Sequence, residues 1–147
     1  MGFRPAGENE QIDENLAFLS IENATDPIYW IDPEGKIMYV NKAACESLGY
    51  HKQELLELKV MDVDADHDDS AVFVNRWDEI KNKGKISFES KHIRKEGTIF
   101  PVQITVHYIK RGENEFGFSY VKNIEQQKQE ENNLRHNLER LQDLFDT

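Results

Sequence analysis

The sequence predicts an α+β domain on a five-stranded antiparallel sheet, and three observations carry that expectation. Two short runs rich in branched and aromatic residues, Ile28-Tyr29-Trp30-Ile31 and Lys36-Ile37-Met38-Tyr39-Val40, flank a turn sequence. A stretch of helical patterns follows them. Three longer strand-like runs, with turn residues between them, then close the domain, so hairpins stand at both ends.

Each element has its own reason. A helix is expected from Gln11, because Ile12, Leu16 and Leu19 fall at i, i+4 and i+7. It should end before Asp26-Pro27, since the residue preceding a proline is pushed out of the helical region. Residues 1–10 carry Gly, Pro and charge with little apolar content, and are expected to be disordered. Asp32-Pro33-Glu34-Gly35 suits a type I turn between the first two strands. Asn41 makes a good N-cap for a helix over Lys42–Leu48, and Gly49 a good stop. A further short helix is expected over 52–58. Beyond an acidic run, Phe73, Trp77 and Ile80 form the stripe of a longer helix that stops near Lys83-Gly84.

The closing strands are equally legible. The first, over 85–95, meets Glu96-Gly97, a pair favoured in two-residue type I′ hairpins. The second, over 98–110, alternates: Phe100, Val102, Ile104, Val106 and Tyr108 share one face, and Gln103, Thr105 and His107 the other. Arg111-Gly112-Glu113-Asn114 turns the chain into the last strand, where Phe116, Phe118 and Tyr120 share a face. From Ile124 onward there is no Gly or Pro. Ile124, Glu131, Leu138 and Phe145 recur every seven residues, as do Gln127, Leu134 and Leu141, so residues 124–147 read as a coiled-coil helix with a polar first half. An isolated helix of that composition is marginal in water, and a parallel homodimer is expected to cover the seam. The stripe of the N-terminal helix also needs cover. The domain proper is expected over 11–123.

Composition narrows the function. The 147 residues are 38% hydrophobic and 31% charged, with 28 Asp and Glu against 18 Lys and Arg, for a net charge of −10. Such an acidic surface repels nucleic-acid phosphates and anionic lipid, so neither nucleic acid nor a membrane is expected as a direct partner. No apolar run approaches spanning length and no signal peptide is visible, which points to the cytoplasm. The single cysteine, Cys45, excludes an internal disulfide and a cysteine-rich zinc site. No nucleophile elbow, P-loop, His-Glu-x-x-His or Gly-rich dinucleotide loop occurs, so no enzyme activity is expected.

In order and spacing, several segments resemble the PAS domain of bacterial signalling proteins. They are Asp26-Pro27-Ile28, Ile31-Asp32-Pro33-Glu34-Gly35-Lys36-Ile37, Val40-Asn41-Lys42-Ala43-Ala44, Leu48-Gly49-Tyr50, Arg94-Lys95-Glu96-Gly97-Thr98 and Phe100-Pro101-Val102. The resemblance covers about residues 12–128. It implies the strand order 2-1-5-4-3, with helices over one face enclosing a pocket. One departure stands out: Asn123-Ile124-Glu125 replaces the family's Asp-Ile-Thr. Asn123 can still cap the outgoing helix through its side-chain oxygen, but cannot form the family's ion pair.

The resemblance frames the candidate chemistry. Cys45 lies outside any flavin-attacking motif and reads as a small structural residue. His67 precedes the helix on which related haem domains place their ligand, and reads as a solvated loop residue. Asp62, Asp64 and Asp66 share the first three spacings of an EF-hand loop. That pattern fails where His67 stands for Gly and Phe73 for the bidentate Glu, so the run reads as an acidic cap for the helix after it. His136 is followed by Asn137 rather than the acidic residue of phospho-accepting histidines. No metal or cofactor is expected. Around the implied pocket, Trp30, Met61, Phe73, Trp77, Phe88 and Phe118 are the apolar candidates, and Ser90, His92, Gln103, Thr105 and Ser119 the polar ones. Any small-molecule ligand is unknown from sequence.

The resulting expectation is a non-enzymatic sensory and dimerisation module. It would pass a change at the pocket or dimer interface through the C-terminal helix, by Ile124, Leu134, Leu138, Leu141 and Phe145, to a covalently linked histidine kinase or diguanylate cyclase. The alternatives are a ligand-free structural interaction module and a haem or flavin sensor.

Overall fold

Alternation commits three long segments to strands, and turn residues at their ends set the hairpins that order them. The computed structural model describes residues 6–66 and 70–146, with side chains over 13–66 and 71–146. Helix α1 (Ala6–Glu22) precedes the hairpin β1 (Ile28–Ile31) and β2 (Ile37–Val40). Four helices follow: α2 (Lys42–Leu48), α3 (Lys52–Leu55), α4 (Val60–Val63) and α5 (Ser70–Lys83). The strands β3 (Lys85–Ile93), β4 (Ile99–Arg111) and β5 (Asn114–Asn123) then lead into α6 (Glu125–Phe145). All neighbours in the sheet are antiparallel, in the order β2-β1-β5-β4-β3.

One buried asparagine joins the first elements. Asn41 has no exposed surface; its side-chain oxygen accepts from Ala44 N–H at 3.0 Å as the α2 cap and from Ile28 N–H at 2.9 Å. Its amide donates to the carbonyls of Ile21 and Asp26 at 2.9 and 3.0 Å. All four hydrogen bonds of the group are made, so the end of α1, the start of β1 and the start of α2 are locked together. Gly49, in the left-handed conformation, closes α2 by donating to the Cys45 carbonyl.

Several sequence expectations shift. Helix α1 begins at Ala6, so residues 6–10 are helical rather than disordered; residues 1–5 lie outside the described residues, as does the side chain of Ile12. The helix expected over 52–58 ends at Leu55, and a separate turn of helix, α4, forms within the acidic run. There Asp62 accepts from Lys59 N–H at 2.9 Å and so caps α4, while Asp64 and Ala65 bridge to His92 and Lys91 at the free edge of β3. Asp62 and Asp64 thus serve α4 and β3. His67, Asp68 and Asp69 lie outside the described residues.

The β3–β4 hairpin is also a correction. Arg94 N–H bonds to Thr98 and Gly97 N–H to Arg94, which leaves Lys95, Glu96 and Gly97 in the loop, with only Gly97 left-handed at φ +105°. A type I′ turn would force Glu96 to positive φ; a type I turn followed by a left-handed glycine avoids that steric cost.

The core lies between the inner sheet face and α2–α5. It includes Ile37, Val40, Leu48, Leu55, Val63, Trp77, Ile80, Phe100, Val102 and Val121. Helix α5 places Trp77 and Ile80 in it, with Phe73 partly buried against it. Gly117 of β5 leaves room for this packing: a Cβ there would stand 2.8 Å from Ile31 and 3.3 Å from Trp77.

Candidate functional site

The helices do not fill all the space above the sheet. A cavity remains among Tyr29 and Ile31 of β1, Val60, Met61, Val63 and Asp64 at α4, and Val72, Phe73, Arg76 and Ile80 of α5. Its sheet side is built from Phe88 and His92 of β3, Ile104 and Val106 of β4, and Ser119 and Val121 of β5. The space open to the centre of a water molecule is about 80 Å³. One water needs roughly 10–15 Å³ on that measure, so a group of several heavy atoms fits. The turn at Gly35 packs closely against two lining residues: a Cβ there would lie 2.8 Å from the Met61 methyl and 3.3 Å from the Phe73 ring. Gly35 also has φ +86° and accepts from Val60 N–H, so this glycine draws α4 down against the β1–β2 hairpin.

Two polar atoms on residues lining this apolar cavity have no hydrogen-bond partner. Tyr29 Oη and His92 Nδ1 are both buried and unpaired. Although their strands are separated by β5 and β4, the two rings meet edge to face with centroids 6.3 Å apart. Burial drives the Tyr29 phenol well above its ordinary pKa, with a smaller push from Cys45. Burial lowers His92 to about 4, against the opposing pull of Asp64. Both groups are therefore neutral near pH 7. The charged side chains at the cavity are engaged: Ser90 Oγ donates to Asp64 at 2.8 Å, and the Arg76 guanidinium lies 3.5 Å from the centre of the Phe88 ring.

The structure brings together Met61, Phe73, Phe88, His92 and Ser119 of the sequence candidates. Trp77 and Ser90 stand just behind the wall, Trp77 stacked on Phe73 with centroids 6.2 Å apart and Ser90 bound to Asp64. Trp30, Gln103, Thr105 and Phe118 are corrections, because strand alternation turns all four to the outer face. Trp30 lies between the cavity residues Tyr29 and Ile31, and its ring meets Phe116, Phe118 and Tyr39 instead. Gln103 and Thr105 alternate with Val102, Ile104 and Val106; the Thr105 hydroxyl pairs with Ser87 at 3.0 Å. Tyr29, Arg76 and Asp64 were missed. Tyr29 was within reach, since the apolar phase of β4 and the pairing of Tyr29 with Ser119 place it inside.

At the exit of the domain, Asn123 Oδ1 accepts from Glu125 N–H at 2.8 Å, so this asparagine does cap the outgoing helix. Ile124 is a correction to the heptad seam. It is only 2% exposed and donates its N–H to the Pro101 carbonyl, so it anchors α6 to the domain. Beyond it no residue of α6 is buried, and Leu134, Leu138, Leu141 and Phe145 are all exposed. Leu16 and Leu19 of α1 are exposed too. Among the described residues no helix is long and apolar enough to cross a membrane, and no group of three or more His, Cys, Asp or Glu side chains could hold a metal ion.

An antiparallel sheet in this strand order, with short helices over a small apolar cavity, is the PAS fold. The chain belongs to the PAS domain family, whose model matches residues 25–126. It is 30% identical over 132 residues to a methyl sulfide methyltransferase-associated sensor of Methanosarcina acetivorans, covering 89% of this chain and 13% of that protein. It thus spans a small part of that relative's length. A domain of a sensory box sensor histidine kinase/response regulator from Geobacter sulfurreducens superposes with a TM-score of 0.65 at 26% identity, over 76% of this chain and 96% of that one. The PAS domain of an HTR-like protein from Haloarcula marismortui superposes with a TM-score of 0.70 at 20% identity, over 82% of this chain and all of that one.

Proposed function

We propose that this PAS domain senses a small molecule in its cavity and transmits the change through α6, as a dimer, to an output domain in a larger signalling protein. One observation carries the reading. Strand β5 supplies Ser119 and Val121 to the cavity and, after Asn123 and Ile124, becomes α6, whose apolar stripe is exposed. A ligand that displaces β5 therefore acts directly on the helix that leaves the domain. Leu134, Leu138, Leu141 and Phe145 supply the seam of a parallel homodimer, while Gln127 and Glu131 leave its first half weak and able to splay. Leu16 and Leu19 of α1 add a second stripe for a partner copy to cover. A histidine kinase is the favoured output, in keeping with the Geobacter relative, and a diguanylate cyclase is the other candidate. Cytoplasmic placement follows from this role.

Sedimentation of the chain and of a Leu134→Asp, Leu138→Asp variant tests the assembly. The expected result is a dimer for the first and a monomer for the second. Monomers throughout at high micromolar concentration overturn it.

A further inference from the structure

We infer that the cavity selects an uncharged, largely hydrocarbon molecule bearing one hydroxyl or carbonyl oxygen, held between Tyr29 Oη and His92 Nδ1. The inference deepens the sensory reading above and rests on it. The walls offer Val60, Met61, Phe73, Ile104, Val106 and Val121, which reward hydrocarbon and give a charged group nothing in place of its hydration. Among the described residues, the two formal charges lining the cavity are of opposite sign, with Asp64 bonded to Ser90 and Arg76 laid on Phe88, so neither sign of ligand charge is favoured.

Against that wall the two unpaired groups specify the polar end. Buried polar atoms in folded proteins nearly always find a partner, and here two on residues lining the same cavity lack one; both are closed over by their surroundings, so a ligand oxygen meets them as the two rings turn toward the cavity. Both are neutral near pH 7, the phenol because burial raises it and the imidazole because burial lowers it. They recognise an oxygen by hydrogen bonds, not by charge. A ligand hydroxyl accepts from the Tyr29 O–H and donates to Nδ1. A carbonyl oxygen accepts from both when His92 carries its proton on Nδ1. Either oxygen satisfies both groups, which a hydrocarbon leaves unpaired.

Isosteric probes on the full chain test this: phenol, toluene, benzoate and benzylammonium, each by titration calorimetry and by the shift in thermal midpoint. Phenol should bind at least tenfold more tightly than toluene, and both charged probes more weakly than toluene. Tyr29→Phe, which keeps the shape of the ring, should bring phenol within threefold of toluene, and His92→Gln should cut the preference. Toluene or a charged probe binding as tightly as phenol overturns the ligand class while leaving the cavity a binding site. An undiminished preference for phenol in both variants overturns the anchor. If none of the four binds at millimolar concentration, the cavity holds only water, and both this inference and the sensory reading of the cavity fail.

Discussion

The two faces of the sheet carry apolar side chains in opposite packing states. Inside, aliphatic residues of β4 and β5 and the helices above them enclose a cavity. Outside, Trp30, Tyr39, Phe116, Phe118 and Tyr120 form a linked set of half-buried rings, with Phe18 of α1 against Tyr39. His107 extends the set by lying between Phe118 and Tyr120. Rings stand on both faces: Tyr29, Phe100 and Trp77 are buried inside, beside branched residues that leave space to spare, while the outer rings stay half-buried. Size and apolarity alone do not reveal which side of a sheet holds a pocket. What matters is where the helices cross, and the outer rings are buried largely by one another across neighbouring strands.

Four measurements sharpen that contrast. The largest effect belongs to the inner layer: Trp77→Ala should cost about 3–5 kcal/mol, as emptying a buried aromatic site does. Trp77 is buried against Phe73 and Tyr108, so a urea midpoint unchanged from wild type would place it outside the core.

Next comes acid. His92 has a folded pKa of about 4, below its ordinary value of 6.5. Between these values the unfolded chain binds a proton that the folded one refuses. Stability is therefore full above pH 6.5, falls as the pH drops toward 4, and loses nothing further from this group below that. The slope approaches about 1.4 kcal/mol per pH unit, or about 3 kcal/mol across the window. Urea unfolding at stepped pH reads it, and His92→Gln should remove that part of the dependence. An unaltered slope in the variant would assign the effect to other groups.

The outer face should respond less. Phe118→Ala is expected to cost about 1–2 kcal/mol, roughly half of full burial, with no change in probe binding at the cavity. A loss near that of Trp77→Ala would mean that the outer rings are covered in solution, as a dimer partner would cover them. The smallest effect is Tyr29→Phe, which removes an unpaired buried hydroxyl and should leave the unliganded domain within about 1 kcal/mol of wild type, on the stable side. A clear destabilisation would show that the hydroxyl has a partner after all.

Much of this protein was legible without coordinates. Asp32-Pro33-Glu34-Gly35, Asn41 and Gly49 mark the ends of elements by local chemistry, and β4 shows its two faces by strict alternation. Those signals act over a few residues, so the strands, the hairpins, α2 and α5 follow from them, and the family's spaced segments supply the strand order. The site was less legible. Met61, Phe73, Phe88, His92 and Ser119 stood out as chemically suitable residues, yet Trp30, Phe118, Gln103 and Thr105 looked equally suitable and face the other way. Alternation sorts the residues of a strand into two sets, but only the docked helices determine which set lies beneath them. The same limit applies to Ile124, which fits a heptad by spacing and is held in the domain by packing. It applies most of all to Tyr29 and His92, whose rings meet although two strands stand between theirs in the sheet. Local sequence carries turns, caps and periodicity because those are short-range energies; the cavity and its two unpaired groups exist only once distant segments have packed.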